Sequence, residues 1–157
     1  MQTQRVGGGR LILPDSSLSS YDFKFQAQVV AGAREFAAFF HIQDNGVDGG
    51  QFYSDTGGSA TRVTFVQESE PDRDPNVMVK QIRIQQGHWY DVWVKVRGPK
   101  IWCYLDDQEW FHCTDSPFKK GRVGFGTNET VARFRNISVA TPEGDVLWKG
   151  LPDLPDE

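Results

Sequence analysis

The chain holds 157 residues, 38% hydrophobic, 13% aromatic and 24% charged, the composition of one ordinary globular domain with no room for a second core. Its formal net charge is −4, and 17 Lys and Arg are scattered among 21 Asp and Glu, which argues against a nucleic-acid footprint. No apolar run reaches the ~18 residues a membrane helix needs, the start MQTQRVGGGR lacks the apolar heart of a secretion signal, and two Cys make neither a disulfide framework nor, without His, a zinc site.

Apolar residues alternate with polar ones at period two almost throughout, which predicts half-buried strands rather than helices. After Arg10–Leu13, the clearest strand is Asp22–Val29, with Phe23, Phe25, Ala27 and Val29 on one face. Glu35–Gln43 follows, placing Phe36, Ala38, Phe40 and Ile42 on one side and Ala37, Phe39, His41 and Gln43 on the other. Further strands are predicted at Gln51–Ser54, Thr61–Ser69, Val77–Gln85, Trp89–Arg97, Lys100–Leu105, Glu109–Cys113, Arg122–Gly126, Val131–Ala140 and Val146–Lys149. Turn-forming clusters separate them: DNG at 44–46, GG at 49–50 and 57–58, PDRDP at 71–75, GP at 98–99 and PEG at 142–144. About a dozen short strands predict an all-β fold, two antiparallel sheets packed as a sandwich. One domain spans 1–157, with a core over about 10–149 and short flexible termini.

Trp89 to Cys113 predicts a meander whose register follows from its turns. Closing the first hairpin at Gly98-Pro99 pairs Val96 with Ile101, Val94 with Cys103 and Val92 with Leu105. A three-residue second turn, Asp106 to Gln108, pairs Cys103 with Phe111 and Ile101 with Cys113, keeping all four on the apolar face. The opposite face then carries Trp93 beside Tyr104 beside Trp110, and Lys95 beside Trp102 beside His112. Such a surface suits stacking of sugar rings, a protein contact, or cross-strand cover of the sheet itself.

A second candidate surface comes from the outward sides of two other strands: His41 and Gln43 on one, Arg62, Thr64 and Glu68 on the other, groups that bond hydroxyls in several directions. The loop Asp44-Asn45-Gly46-Val47-Asp48 offers oxygens to calcium through Asp44 and Asp48, though Asp and Asn beside Gly are also ordinary turn chemistry, as are Asp72 and Asp74. Cys103 and Cys113 fall on the core face as a diagonal pair, farther apart than a disulfide wants, and read as buried thiols. Two glycosylation sequons, at Asn128 and Asn136, matter only in a chain secreted by a eukaryote. GxSxG, HExxH, CxxC and phosphate-loop patterns are missing. Glu68 and Glu70 have the spacing of a paired-acid strand, but they run straight into Pro71 and a turn.

The blocks DFKFQAQ (22–28), FAAFFHIQD (36–44), WYDVWVKVRG (89–98), WCYLDD (102–107), GRVGFGT (121–127) and ARFRNISV (132–139) resemble the bacterial 3-keto-disaccharide hydrolase-like domain of unknown function, often labelled family 16 glycoside hydrolase-like, over about Asp22 to Trp148. The resemblance implies a concanavalin A-like jelly-roll, carried extracytoplasmically as part of a larger bacterial protein. Enzymatic relatives carry a His in the penultimate strand where this chain reads GFGTNE (124–129), and the Glu-x-Asp-x-x-Glu strand of true family 16 glucanases does not occur. The resemblance therefore implies a noncatalytic, lectin-like carbohydrate-binding module without a cofactor other than calcium. Its ligand surface maps onto His41, Gln43, Arg62, Thr64 and Glu68, with Trp93, Trp102, Tyr104, Trp110 and His112 as the rival surface. Two alternatives stand beside it: a glycoside hydrolase or 3-keto-sugar enzyme using His41 and Glu68 as acid–base groups, and a protein-interaction domain or homodimer meeting through the aromatic face.

Overall fold

The structure is a computed structural model that describes residues 4–6, 9–13, 18–54, 57–66, 78–114 and 116–149. These residues form β1 (Gln4–Val6), β2 (Gly9–Ile12), β3 (Ser20–Ile42), β4 (Gly49–Ser54), β5 (Ala60–Val66), β6 (Met78–Gln81), β7 (Trp89–Arg97), β8 (Lys100–Leu105), β9 (Gln108–Cys113), β10 (Arg122–Ala140) and β11 (Val146–Lys149), with no helix among them.

Two strands are far longer than the hydrophobic pattern predicts. The segments expected at Asp22–Val29 and Glu35–Gln43 are the two halves of β3, which runs 23 residues, and the last two long segments before β11 are the halves of β10, which runs 19. These two pair antiparallel along their lengths, from Asp22 opposite Ala140 to Ile42 opposite Arg122. Their ribbon turns a corner where Gly32 and Arg34 have φ of 100° and 63° and where the β10 register slips between Asn128 and Ala132. An irregularity of this kind bends a strand without ending it.

Each half of the ribbon seeds one layer. The first half of β3 pairs with β7, giving β9-β8-β7-β3-β10, with β1 and β11 on the far edge of β10. The second half pairs with β4, giving β6-β5-β4-β3-β10-β2. Between the layers lies one apolar core, in which Phe23, Phe25, Ala27 and Val29 of β3 face Phe125, Phe65 and Phe40. Ring pairs bridge the layers: Phe25 to Phe125 and Phe52 to Phe111 at 5.8 Å, and Phe36 to Tyr90 at 5.8 Å. Each fully buried Phe or Val contributes about 1.5–3 kcal/mol, so the interlayer core holds the fold. Cys103 and Cys113 sit in it as free thiols, and burial pushes the Cys103 thiol up.

The meander pairs Val96 with Ile101, Val94 with Cys103, Cys103 with Phe111 and Ile101 with Cys113, as the sequence predicts. The turn differs. Leu105 pairs with Gln108, so only Asp106 and Asp107 lie between, both left-handed at φ 49° and 65°, and a bulge opposite Cys103 and Tyr104 takes up the extra residue. A turn with two positive φ values matches the twist of adjoining strands. The bulge swings Trp110 away from Tyr104, whose partner is Glu109. Trp110 packs against the core instead, and among the described residues its Nε1 has no hydrogen-bond partner.

Candidate functional site

His41, placed by the sequence on an outward face, is fully buried. The register between β3 and β10 slips beside it, and its φ is 51°. This bulge reverses the alternation: His41 turns in beside Tyr21, and Ile42 turns out to join Ala37 and Phe39. Tyr21 clamps the kink. Its hydroxyl accepts the His41 backbone N–H at 3.1 Å and donates to Nδ1 at 3.3 Å, while Nε2–H donates to the Gly98 carbonyl at 2.8 Å. Burial holds the imidazole below its ordinary pKa, opposed by the Gly98 bond. With both ring nitrogens engaged inside the protein, His41 is a structural residue rather than a hydroxyl-binding or acid–base group.

Gln43 is likewise committed. Its Nε2 donates to the His41 carbonyl at 2.9 Å and to the Lys120 carbonyl at 2.7 Å, tying the end of β3 to the approach to β10. In the acidic loop Asn45 Oδ1 accepts the N–H groups of Val47 and Asp48, both at 2.9 Å, which is a side-chain-capped turn. Asp48 is buried and Asp44 exposed, and among the described residues no three His, Cys, Asp or Glu side chains gather into a cation site. Glu68, Glu70, Asp72 and Asp74 lie outside the described residues.

Arg62 and Thr64 do share a face, and the register shows what stands beside them. Tyr53 pairs with Arg62 and with Ala37, and Ala37 pairs with Gly126. In the next row Thr64 pairs with Gln51, Gln51 with Phe39, and Phe39 with Gly124. The outer face of the second layer therefore carries a part-exposed aromatic, guanidinium, amide and hydroxyl next to a buried row of Ala37, Phe39, Gly124 and Gly126. Tyr53 packs on the small apolar cluster of Ala37, Phe39 and Ile42, which holds its phenol ring half-buried at the margin of that cluster. Gln51 and Tyr53 were missed by sequence reading, although Phe52 between them points inward and their outward parity follows from it.

The aromatic face of the first layer is arranged differently. Trp93 stacks on Tyr104 at 4.4 Å and 19° between planes, with the Lys24 ammonium 4.6 Å from the indole centroid. Trp102 stacks on His112 at 4.6 Å and 12°, and Lys95 lies 5.2 Å from its ring. Each of these two indoles thus has an aromatic of the adjoining strand and a lysine against it, the pattern of cross-strand cover. Trp110, expected in the ladder, is absent from it for the reason given above.

No model of a known protein family matches this chain. An extracellular exo-alpha-L-arabinofuranosidase of Streptomyces chartreusis is 30% identical over 110 residues, which is 68% of this chain and 13% of that enzyme. The chain thus spans only a small part of that relative's length. Among solved structures, a carbohydrate-binding module from Bacillus subtilis superposes with a TM-score of 0.70 at 16% identity, covering 87% of this chain and 94% of that one. A galectin from Caenorhabditis elegans superposes at 0.60 with 10% identity, covering 81% and 88%. These likenesses establish the jelly-roll fold. The finer resemblance to the 3-keto-disaccharide hydrolase-like domain is not among what they support.

Proposed function

We propose that this chain is a noncatalytic, lectin-like module that binds carbohydrate outside the cytoplasm as part of a larger glycan-processing protein. The observation that carries the reading is the pairing of Tyr53 with Arg62 beside that of Gln51 with Thr64 on one part-exposed sheet face. A sugar ring set against the half-buried Tyr53 meets its ring with a C–H face, while Arg62, Gln51 and Thr64, all part-exposed, bond its hydroxyls. The named activity of the arabinofuranosidase relative and the binding module and galectin among the structural neighbours support the same ligand class. The enzyme alternative loses one of its two groups, because His41 is sealed in the core. Arabinose-containing glycans are the first to try.

The test is a glycan array run with and without calcium, which also examines the expectation at Asp44 and Asp48, followed by calorimetric titration of the strongest ligand. Arg62→Ala is expected to weaken that ligand about tenfold or more, the loss of a charge-assisted hydrogen bond to a hydroxyl. Undiminished affinity in both Arg62→Ala and Tyr53→Ala sinks this assignment of the face.

A further inference from the structure

The first layer carries a polar pocket that the reading above does not use. It has a volume of about 380 Å³ and is lined by Lys24, Gln26, Asp91, Trp93, Asp107, Asn136 and Ser138, within the range of small-molecule sites. It lies beside the aromatic ladder, on the side of the sandwich opposite Arg62 and Tyr53.

Its floor is assembled by a third bulge. Between Arg135 and Ser138 the β10 ladder takes an extra residue, and Asn136 sits there at φ 55°. On an unbroken alternation from buried Phe134, Asn136 would point into the core and Ile137 out of it. The bulge exchanges them: Ile137 is fully buried, and Asn136 is exposed at the pocket rim. Bulges re-aim side chains in this way. Asn136 Nδ2 and Arg135 Nε both donate to Gln26 Oε1 at 2.7 Å, and Gln26 Nε2 donates to Asp91 Oδ1 at 2.6 Å. Gln26 is thereby spent on fixing its neighbours. Asp91 keeps acceptor capacity, since a carboxylate offers about four lone-pair sites.

We infer that this pocket is a second saccharide site, built for a neutral sugar. The donors of Lys24, Ser138 and Asn136 on β3 and β10 face the acceptors of Asp91 and Asp107 across one concavity, so that hydroxyls of one ring can both donate and accept, and the half-buried indole of Trp93 borders it. Two carboxylates against one ammonium disfavour a uronate or a sulphated sugar. The chain then holds carbohydrate on both faces of the sandwich and joins two glycan strands, or two points of one strand.

All five tryptophans lie in β7, β8, β9 and β11 of the first layer, and Trp93 lines this pocket, so their emission reports it more directly than the Arg62 face. The experiment titrates the whole chain with maltotriose, xylotriose and arabinotriose, and with tri-galacturonic acid as the anion, following tryptophan emission and heat together. A saturable emission change with a neutral trisaccharide is expected. It should weaken roughly tenfold in Asp107→Asn and persist unaltered in Arg62→Ala. Asn suits the left-handed turn, so that variant keeps the hairpin. Silent tryptophans with every neutral sugar, or a change indifferent to both Asp107→Asn and Ser138→Ala, overturn the second site. Stronger binding of the uronate overturns its neutral class. Heat abolished by Arg62→Ala with silent emission removes this site alone and leaves the Arg62 face standing, whereas an emission change with every signal indifferent to Arg62→Ala and Tyr53→Ala does the reverse.

Discussion

Tyr21 and His41 form a closed pair in which each satisfies the other, and their energetics are set by burial. Removing the Tyr21 hydroxyl strands the His41 N–H and Nδ1 inside the protein, so Tyr21→Phe is expected to cost about 2 kcal/mol, read from urea denaturation. The pair also dictates a pH response. His41 has a folded pKa below its ordinary 6.5, so between those values the unfolded chain takes up a proton that the folded chain refuses. Stability is therefore fully present above the ordinary value and falls as the pH drops through that window. Thermal midpoints measured on a descending pH series should show the decline, and His41→Asn, which retains a side chain suited to positive φ, should flatten it. None of this was legible from the residue alone. A His on the outward beat of an alternating strand reads as a surface group, and only a register slip one residue long sends it inward.

The same limit operates on whole elements. Alternation placed β7, β8 and β11 at their bounds and the hairpin partners correctly, because turn chemistry and apolar faces agree there. It failed at two positions where a bulge changes parity, His41 and Trp110, the first a non-glycine residue in the left-handed region. It also divided β3 and β10 in two, because the polar or small residues at their bend look like a loop. The candidate site was legible only in its Arg62 and Thr64, which sit on a strand without such a slip. The Asp106-Asp107 turn carries strain of another sort, two residues with side chains where glycine is at ease. Asp107→Gly should raise stability by about 1 kcal/mol while abolishing the tryptophan response to neutral sugars. Gaining both stability and binding, or losing both, would contradict the role assigned to that carboxylate.

At the scale of the molecule, two strands belong to both layers, so neither layer has a sheet of its own to fall back on once β3 and β10 separate. Unfolding should be a single transition. Tryptophan emission, whose five reporters stand on strands of the first layer, and exchange of the β4 and β5 amides of the second should give one common free energy. Separate values would mean that the bend at Gly32 and Arg34 is a seam. The interlayer core was the most legible part of the chain, since Phe23, Phe25, Ala27 and Val29 announce it by simple alternation and the structure buries all four.

The short outer strands have a mechanical meaning. β1 lies along Ala132 to Phe134 and β11 along Ser138 to Ala140, on the same margin of β10, with Gln4 opposite Phe134 and Lys149 opposite Ser138. Tension applied from either side of these strands is expected to meet their 3 matched positions each first, before it reaches the 15 matched positions that join β3 to β10. The margin acts as a fuse. Because Ser138 of the proposed pocket is paired there with Lys149, release of β11 under load is expected to slacken the pocket rim, while the face of Arg62 and Tyr53 on β4 and β5 keeps its shape.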